Sequence, residues 1–216
     1  MRQAAVDFYY NGWAFLGANL AFGAVLLAAL YGSLYVSPWL LLLVAALVAP
    51  AAGTMRMATR LRRDGHTDLG DFAEPLRQGR ILLLGLAQLL VSVVLAADIA
   101  IALSWGSWIG VVLLVGAAYG VVALWALAVV AWPVLLDPTR DAMPIRARLR
   151  LALVVLFLEP RRVGGVALGS ALVLVLSTVL LAPILTVAVS YAWLVIAGSV
   201  LPLADEVQAR LAQAEP

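Results

Sequence analysis

The chain has 216 residues, 65% of them hydrophobic, with 14 basic residues against 12 acidic ones. Its mean hydropathy is +1.05, more apolar surface than a water-soluble core of this size can hide. That excludes a soluble enzyme, a nucleic-acid-binding domain and a disordered chain, and leaves an all-α integral membrane protein in one domain.

About 20 apolar residues cross a bilayer as a helix, and the chain offers several such runs in order. The first covers 13–35, is too long for the apolar core of a signal peptide, and is ended by Pro38. The second covers 39–57 and continues as helix into Arg60 and Arg62. The third covers 81–103, interrupted by Gln88, Ser92 and Asp98. The fourth covers 108–136, about 43 Å as helix, so it tilts or projects past the bilayer, with a kink or stop expected at Pro133. The last block, Val163 to Leu203, would make a helix of about 60 Å and must fold back. Pro183 at its midpoint suggests two spans, 163–181 and 184–203. The turn there lacks Gly, Asn and Asp, so a single kinked span with its tail on the membrane, giving five spans, is the alternative.

Charge placement orients these spans. The basic residues are all arginine, and they gather in two segments, 58–80 with the adjoining Arg56, and 137–162. The segments after the first and third spans carry no charge. The positive-inside rule makes both arginine segments cytoplasmic, and with six spans both termini join them. Tyr31, Tyr35, Trp39, Trp105 and Trp108 then mark the outer interface, and Phe8, Tyr9, Tyr10, Trp13 and Trp132 the inner one.

The two arginine segments end alike. Phe72, Glu74, Pro75, Arg77 and Gly79 recur as Phe157, Glu159, Pro160, Arg162 and Gly164. Pro suits a first helical turn, and Glu before it faces the positive end of the helix dipole. This fits either an ancestral duplication or a general preference at helix starts. Between Pro144 and Leu158, Ile145, Leu149, Ala152 and Leu156 share a face beside Arg146, Arg148 and Arg150. Such a segment is too short to span and reads as an interfacial helix on the cytoplasmic leaflet. Arg56, Arg60, Arg62, Arg63, Arg146, Arg148, Arg150, Arg161 and Arg162 are thus the candidates for docking anionic lipid headgroups or a transporter subunit.

Candidate chemistry within the spans is sparse. Asp98 is the only acidic residue there, and intramembrane acids are functional candidates by default, although its depth places it near the outer headgroups. Asn19 and Gln88 lie deeper and suit pairing between helices; with Asp98 they are the candidate polar site. Asp64, His66 and Asp68 share a short loop, a poor metal set without a second histidine or a cysteine. There is no cysteine, no phosphate-binding loop and no nucleophile motif. Asp71 and Glu74 read as helix-start capping. No cofactor is expected.

The stretch from Pro50 through Gly53, Thr54, Arg56, Arg60 and Arg63 to Gly65, followed by Asp71-Phe72 and by Arg77 to Leu86, resembles the YesL family, domain of unknown function 624. Asn19-Leu20 and Trp132-Pro133 fit it as well, while Pro75 and Gly79 depart from its pattern. The resemblance implies a bacterial inner-membrane protein without established activity, associated with carbohydrate uptake. The expectation is a non-enzymatic accessory or assembly partner of a transport system. The alternative is a small-solute-binding transporter subunit with a cavity near Asn19, Gln88 and Asp98.

Overall fold

A computed structural model describes residues 6, 7, 9–179 and 187–214. Among these residues all regular structure is helical. Helix α1 spans Gly12–Tyr35. A 3-10 segment, Pro38–Leu47, leads without a break into α2, Val48–Asp64. The short α3, Leu69–Ala73, and a 3-10 turn, Glu74–Arg77, precede α4, Gly79–Ser104. Then come α5, Trp108–Leu135, a 3-10 turn at Pro138–Arg140, and α6, Ile145–Leu158. Helices α7, Pro160–Val179, and α8, Val189–Ala214, complete the described chain.

Four helical stretches among the described residues are long and apolar enough to cross a membrane: Gly12–Tyr35, Leu42–Asp64, Gly79–Ser104 and Trp108–Leu135. These are the first four expected spans, with the second carried further through its arginines. The fold-back expected at Pro183 lies outside the described residues.

The core sits at one end of the bundle. Helix α2 is buried along almost its whole length from Pro50 to Leu61, and it packs against α8, which contributes Leu194, Ile196, Ala197, Val200 and Ala204. The end of α5 adds Val129, Val130, Val134 and Leu135. In contrast, α4 presents Leu83, Leu90, Val93 and Leu103 to the outside, and α5 presents Val111, Val112 and Val122. A wide apolar surface of this kind is what a lipid environment tolerates and water does not.

Close approach needs small residues where lipid supplies no hydrophobic drive. A Cβ on Gly53 would stand 2.5 Å from the Phe72 carbonyl oxygen, so α3 lies directly on α2. A Cβ on Gly85 would stand 2.3 Å from Val48 Cγ1 and 2.9 Å from the Trp132 ring, which joins α4 to α2 and α5. Pro133 sits inside α5 without ending it.

The loops follow local rules. Gly65 stops α2 with φ +76°, a left-handed cap that glycine adopts without strain. The α3 capping box is built by Asp68 and Asp71, rather than by the expected Asp71 and Glu74. The two repeated helix starts diverge: Pro160 opens α7 directly, whereas Pro75 opens a 3-10 turn and α4 begins only at Gly79. Helix α6 occupies the expected interfacial segment, but its buried face carries Arg148, Leu151, Ala152 and Val155, so the helix is turned to bring an arginine inward.

Contacts between the ends fix the direction of each helix. Asp7 bonds Arg62 at 2.8 Å, and Asp205 bonds Arg63 at 2.7 Å. Asp7, ahead of α1, and the last part of α8 therefore lie at the same end as the arginines.

Candidate functional site

The arginines expected on the surface build an ionic network inside that end. Arg56 is 1% exposed and uses every N–H it owns. Its Nε and Nη2 donate to Glu74 at 2.8 and 2.7 Å, its Nη1 and Nη2 to Asp141 at 3.1 and 2.5 Å, and Nη1 also to the Leu136 carbonyl at 3.0 Å. A guanidinium has five donors in a planar fork, and five bonds leave none over for a phosphate.

One turn pair further along the same face of α2, Arg63 makes a second node. It donates to Asp137 at 3.1 and 2.6 Å and to Asp205 at 2.7 and 2.8 Å. Asp137 is fully buried and also accepts from Thr139 and from Arg140 Nη1. Arg140 then reaches Asp205 at 2.5 Å and Gln208 at 3.2 Å. Helices α2 and α8 and the turn after α5 are thereby tied at one level. Burial works against the Asp205 charge, but hydrogen bonds from Arg63 and Arg140 hold its carboxyl below the usual aspartate range.

These arginines also finish α5. Its last carbonyls have no partner within the helix and carry the negative end of its dipole. Arg148 donates to the Leu135 carbonyl at 2.6 Å, while Arg56 and Thr59 donate to that of Leu136 at 3.0 and 2.7 Å. Arg148 further holds the carbonyls of Met143 and Asp141, both at 2.9 Å. Burial lowers the Arg148 pKa, the Asp141 charge opposes that, and the nearby Arg56 adds to it.

The docking set expected from sequence thus divides. Arg56 and Arg148 are buried in the network, and Arg63, about a fifth exposed, joins it from the edge. Arg60 bonds Asp64 at 3.2 Å and Asp71 at 3.3 Å, and Arg62 bonds Asp7. Arg162 is exposed, loosely held by Glu206 at 3.4 Å and Glu159 at 3.6 Å. Arg146, Arg150 and Arg161 are exposed, and no ion pair is found for them among the described residues. The acids were the missed signal: Glu74 holds Arg56 from the same segment, while Asp137 and Asp141 hold Arg63 and Arg56 from the other one.

The three polar span residues do not come together. Asn19 is buried and accepts from the Ser190 backbone N–H at 3.2 Å, joining α1 to α8. Gln88 accepts from Trp132 Nε1 at 2.7 Å, joining α4 to α5. Both fill the expected pairing role. Asp98 is exposed in the C-terminal part of α4. A cavity of about 190 Å³ between Phe22, Val48, Gln88, Trp132 and Trp193 is lined by neither Asn19 nor Asp98. His66 is exposed, its Nδ1 3.2 Å from the Asp64 carbonyl, and no cluster suited to a metal ion occurs among the described residues.

Comparisons with protein-family models, with curated proteins and with solved structures return no match for this chain.

Proposed function

We propose that the chain is a six-span bacterial inner-membrane protein with both termini cytoplasmic, acting as a non-enzymatic accessory or assembly partner of a transport system. The observation that carries this is the outward face of α6. Arg148 pins that helix to the end of α5, and Arg146, Arg150, Leu153 and Phe157 point away from the bundle, Phe157 at 77% exposure. A basic and apolar face on a rigid support suits a membrane-embedded protein partner more than it suits catalysis. The return of α8 to the arginine end supports an even number of spans. The resemblance to the YesL family supports carbohydrate uptake as the setting.

A photo-crosslinking residue at position 153, exposed on the same face, should in living cells capture one membrane subunit of an uptake system. Arg146→Glu with Arg150→Glu should abolish that product and impair uptake while protein level and melting temperature stay unchanged. Crosslinks to lipid alone, or undiminished uptake after reversal, would overturn the reading.

The small-solute-binding alternative draws on the Gln88 cavity. It requires Gln88→Leu to abolish binding of a solute by purified protein, and binding unaffected by that change would end it.

A further inference from the structure

We propose that the groove between α7 and α8 binds one anionic phospholipid, with the phosphate at Arg161 and Arg162 and an acyl chain along the groove. The inference rests on the reading that the chain spans a membrane.

The groove has a volume of about 560 Å³. Its α7 wall includes Arg161, Arg162, Gly165 and Gly169, and its α8 wall includes Gly198, Ser199 and, beside Arg162, the acidic Glu206. The α7 residues recur at helical spacing, so the arginines stand at one end of a floor of glycines. Glycine inside a helix costs about 1 kcal/mol against alanine, and such residues in membrane helices commonly admit a close neighbour. Here they admit none from the described chain: a Cβ on Gly165 or Gly169 would meet nothing within 4 Å. The space they open belongs to something outside the described chain.

Charge selects the occupant. Arg161 lines the groove, is exposed, and has no ion-pair partner among the described residues. Arg162 is held only at 3.4 and 3.6 Å, by carboxylates about half and a fifth exposed. The deeper Arg56, Arg63 and Arg148 are held at closer range by carboxylates or backbone carbonyls, so Arg161 and Arg162 are the donors this groove offers an anion at the level where headgroup phosphates lie. On the other side of α7 a second trough of about 490 Å³, lined by Trp125, Gly164, Ala167 and Leu168, is almost wholly apolar. A diacyl lipid with its phosphate at Arg161 therefore has a groove that is polar at its arginine end on one side of α7 and an apolar trough on the other. A helix from a second copy, seated on Gly165 and Gly169, would bring like charges together at Arg161 and Arg162.

The test is the melting temperature of the full chain in detergent and in nanodiscs of phosphatidylcholine or phosphatidylglycerol. Both bilayers should stabilise the wild type over detergent, and phosphatidylglycerol should add about 5 °C more, the size expected for a well-occupied site on a chain of this length. Arg161→Gln, and separately Gly165→Leu with Gly169→Leu, should erase the extra shift while leaving the phosphatidylcholine value intact. Glycerol 3-phosphate should give no shift. Equal stabilisation by the two lipids would overturn the lipid site and leave the membrane reading standing. No stabilisation by either bilayer would overturn both. A shift with glycerol 3-phosphate would make this a soluble-phosphate site. A dimer broken by the leucine variants with the lipid preference intact would assign the groove to a helix.

Discussion

Arg56 shows how an arginine can be expensive to bury and still be required. Removing an ion from water costs several kcal/mol, and only full pairing offsets it. Five donors meet two carboxylates and a helix-end carbonyl, so the offset is as complete as the group allows. Arg56→Gln should lower stability by about 3 kcal/mol, the low end for breaking a buried pair, because Glu74 and Asp141 are each about a third exposed and partly hydrated. Arg56→Lys should recover only part of this, since an ammonium cannot fork onto both acids. Thermal unfolding in detergent measures both, and equal melting of the lysine variant and the wild type would deny the fork its role. Asp205 gives a pH dependence. Its folded pKa lies below its unfolded value, about 3.9. The stability it contributes is therefore present above pH ~4 and is lost as pH falls through the lower, folded value. Asp205→Asn should melt lower at neutral pH and show a shallower acid slope. Parallel slopes in variant and wild type would rule this carboxylate out as a source.

At the scale of elements, glycines separate contact from vacancy. Gly53→Ala drives a Cβ to 2.5 Å from a backbone oxygen, which cannot swing aside as a side chain would. It should cost about 1–3 kcal/mol as an overpacking change. Gly116→Ala, in an exposed stretch of α5 with nothing within 4 Å, should be neutral or stabilise by up to about 1 kcal/mol. If the two variants melt alike, α3 does not sit on α2 as described. The same contrast explains what was legible in the sequence. Continuous apolar runs bounded by Ser, Gly and Pro placed α1, α4 and α5 within a residue or two of where they lie, because length and hydropathy decide a span. The 3-10 entry to α2 has no comparable pattern. The inward turn of α6 was hidden because Arg148 reads as polar and therefore as surface. Counting arginines locates the side of the membrane, but it does not say which of them face acids. Glu74, Asp137, Asp141 and Asp205 carried that information, spread over three segments far apart in sequence.

The whole molecule is polarised along its length. One end holds interlocked ion pairs joining Asp7 ahead of α1 to α2, and α2 to α3, the turn after α5 and α8; the other carries Trp105, Trp108 and Asp98, all exposed. An ionic network costs least where interfacial water and headgroups share its outer faces, and an uncharged end crosses a bilayer during insertion at the lowest free energy. In the orientation proposed above, the networked end faces the cytoplasm. The chain has no cysteine, so single substitutions give clean labels. His66→Cys and Gln213→Cys sit at the networked end, and Ser104→Cys at the opposite one, all three exposed in the fold. In intact cells whose outer layers are permeabilised, a membrane-impermeant maleimide should label Ser104→Cys alone; after lysis it should label all three. Asp205 is bonded to Arg63 and Arg140, so residue 213 must share the side of residue 66. Labelling of Gln213→Cys but not His66→Cys in intact cells would break that bond, the even number of spans and the cytoplasmic network together. Labelling of both, with Ser104→Cys protected, would keep the bundle and invert it in the membrane.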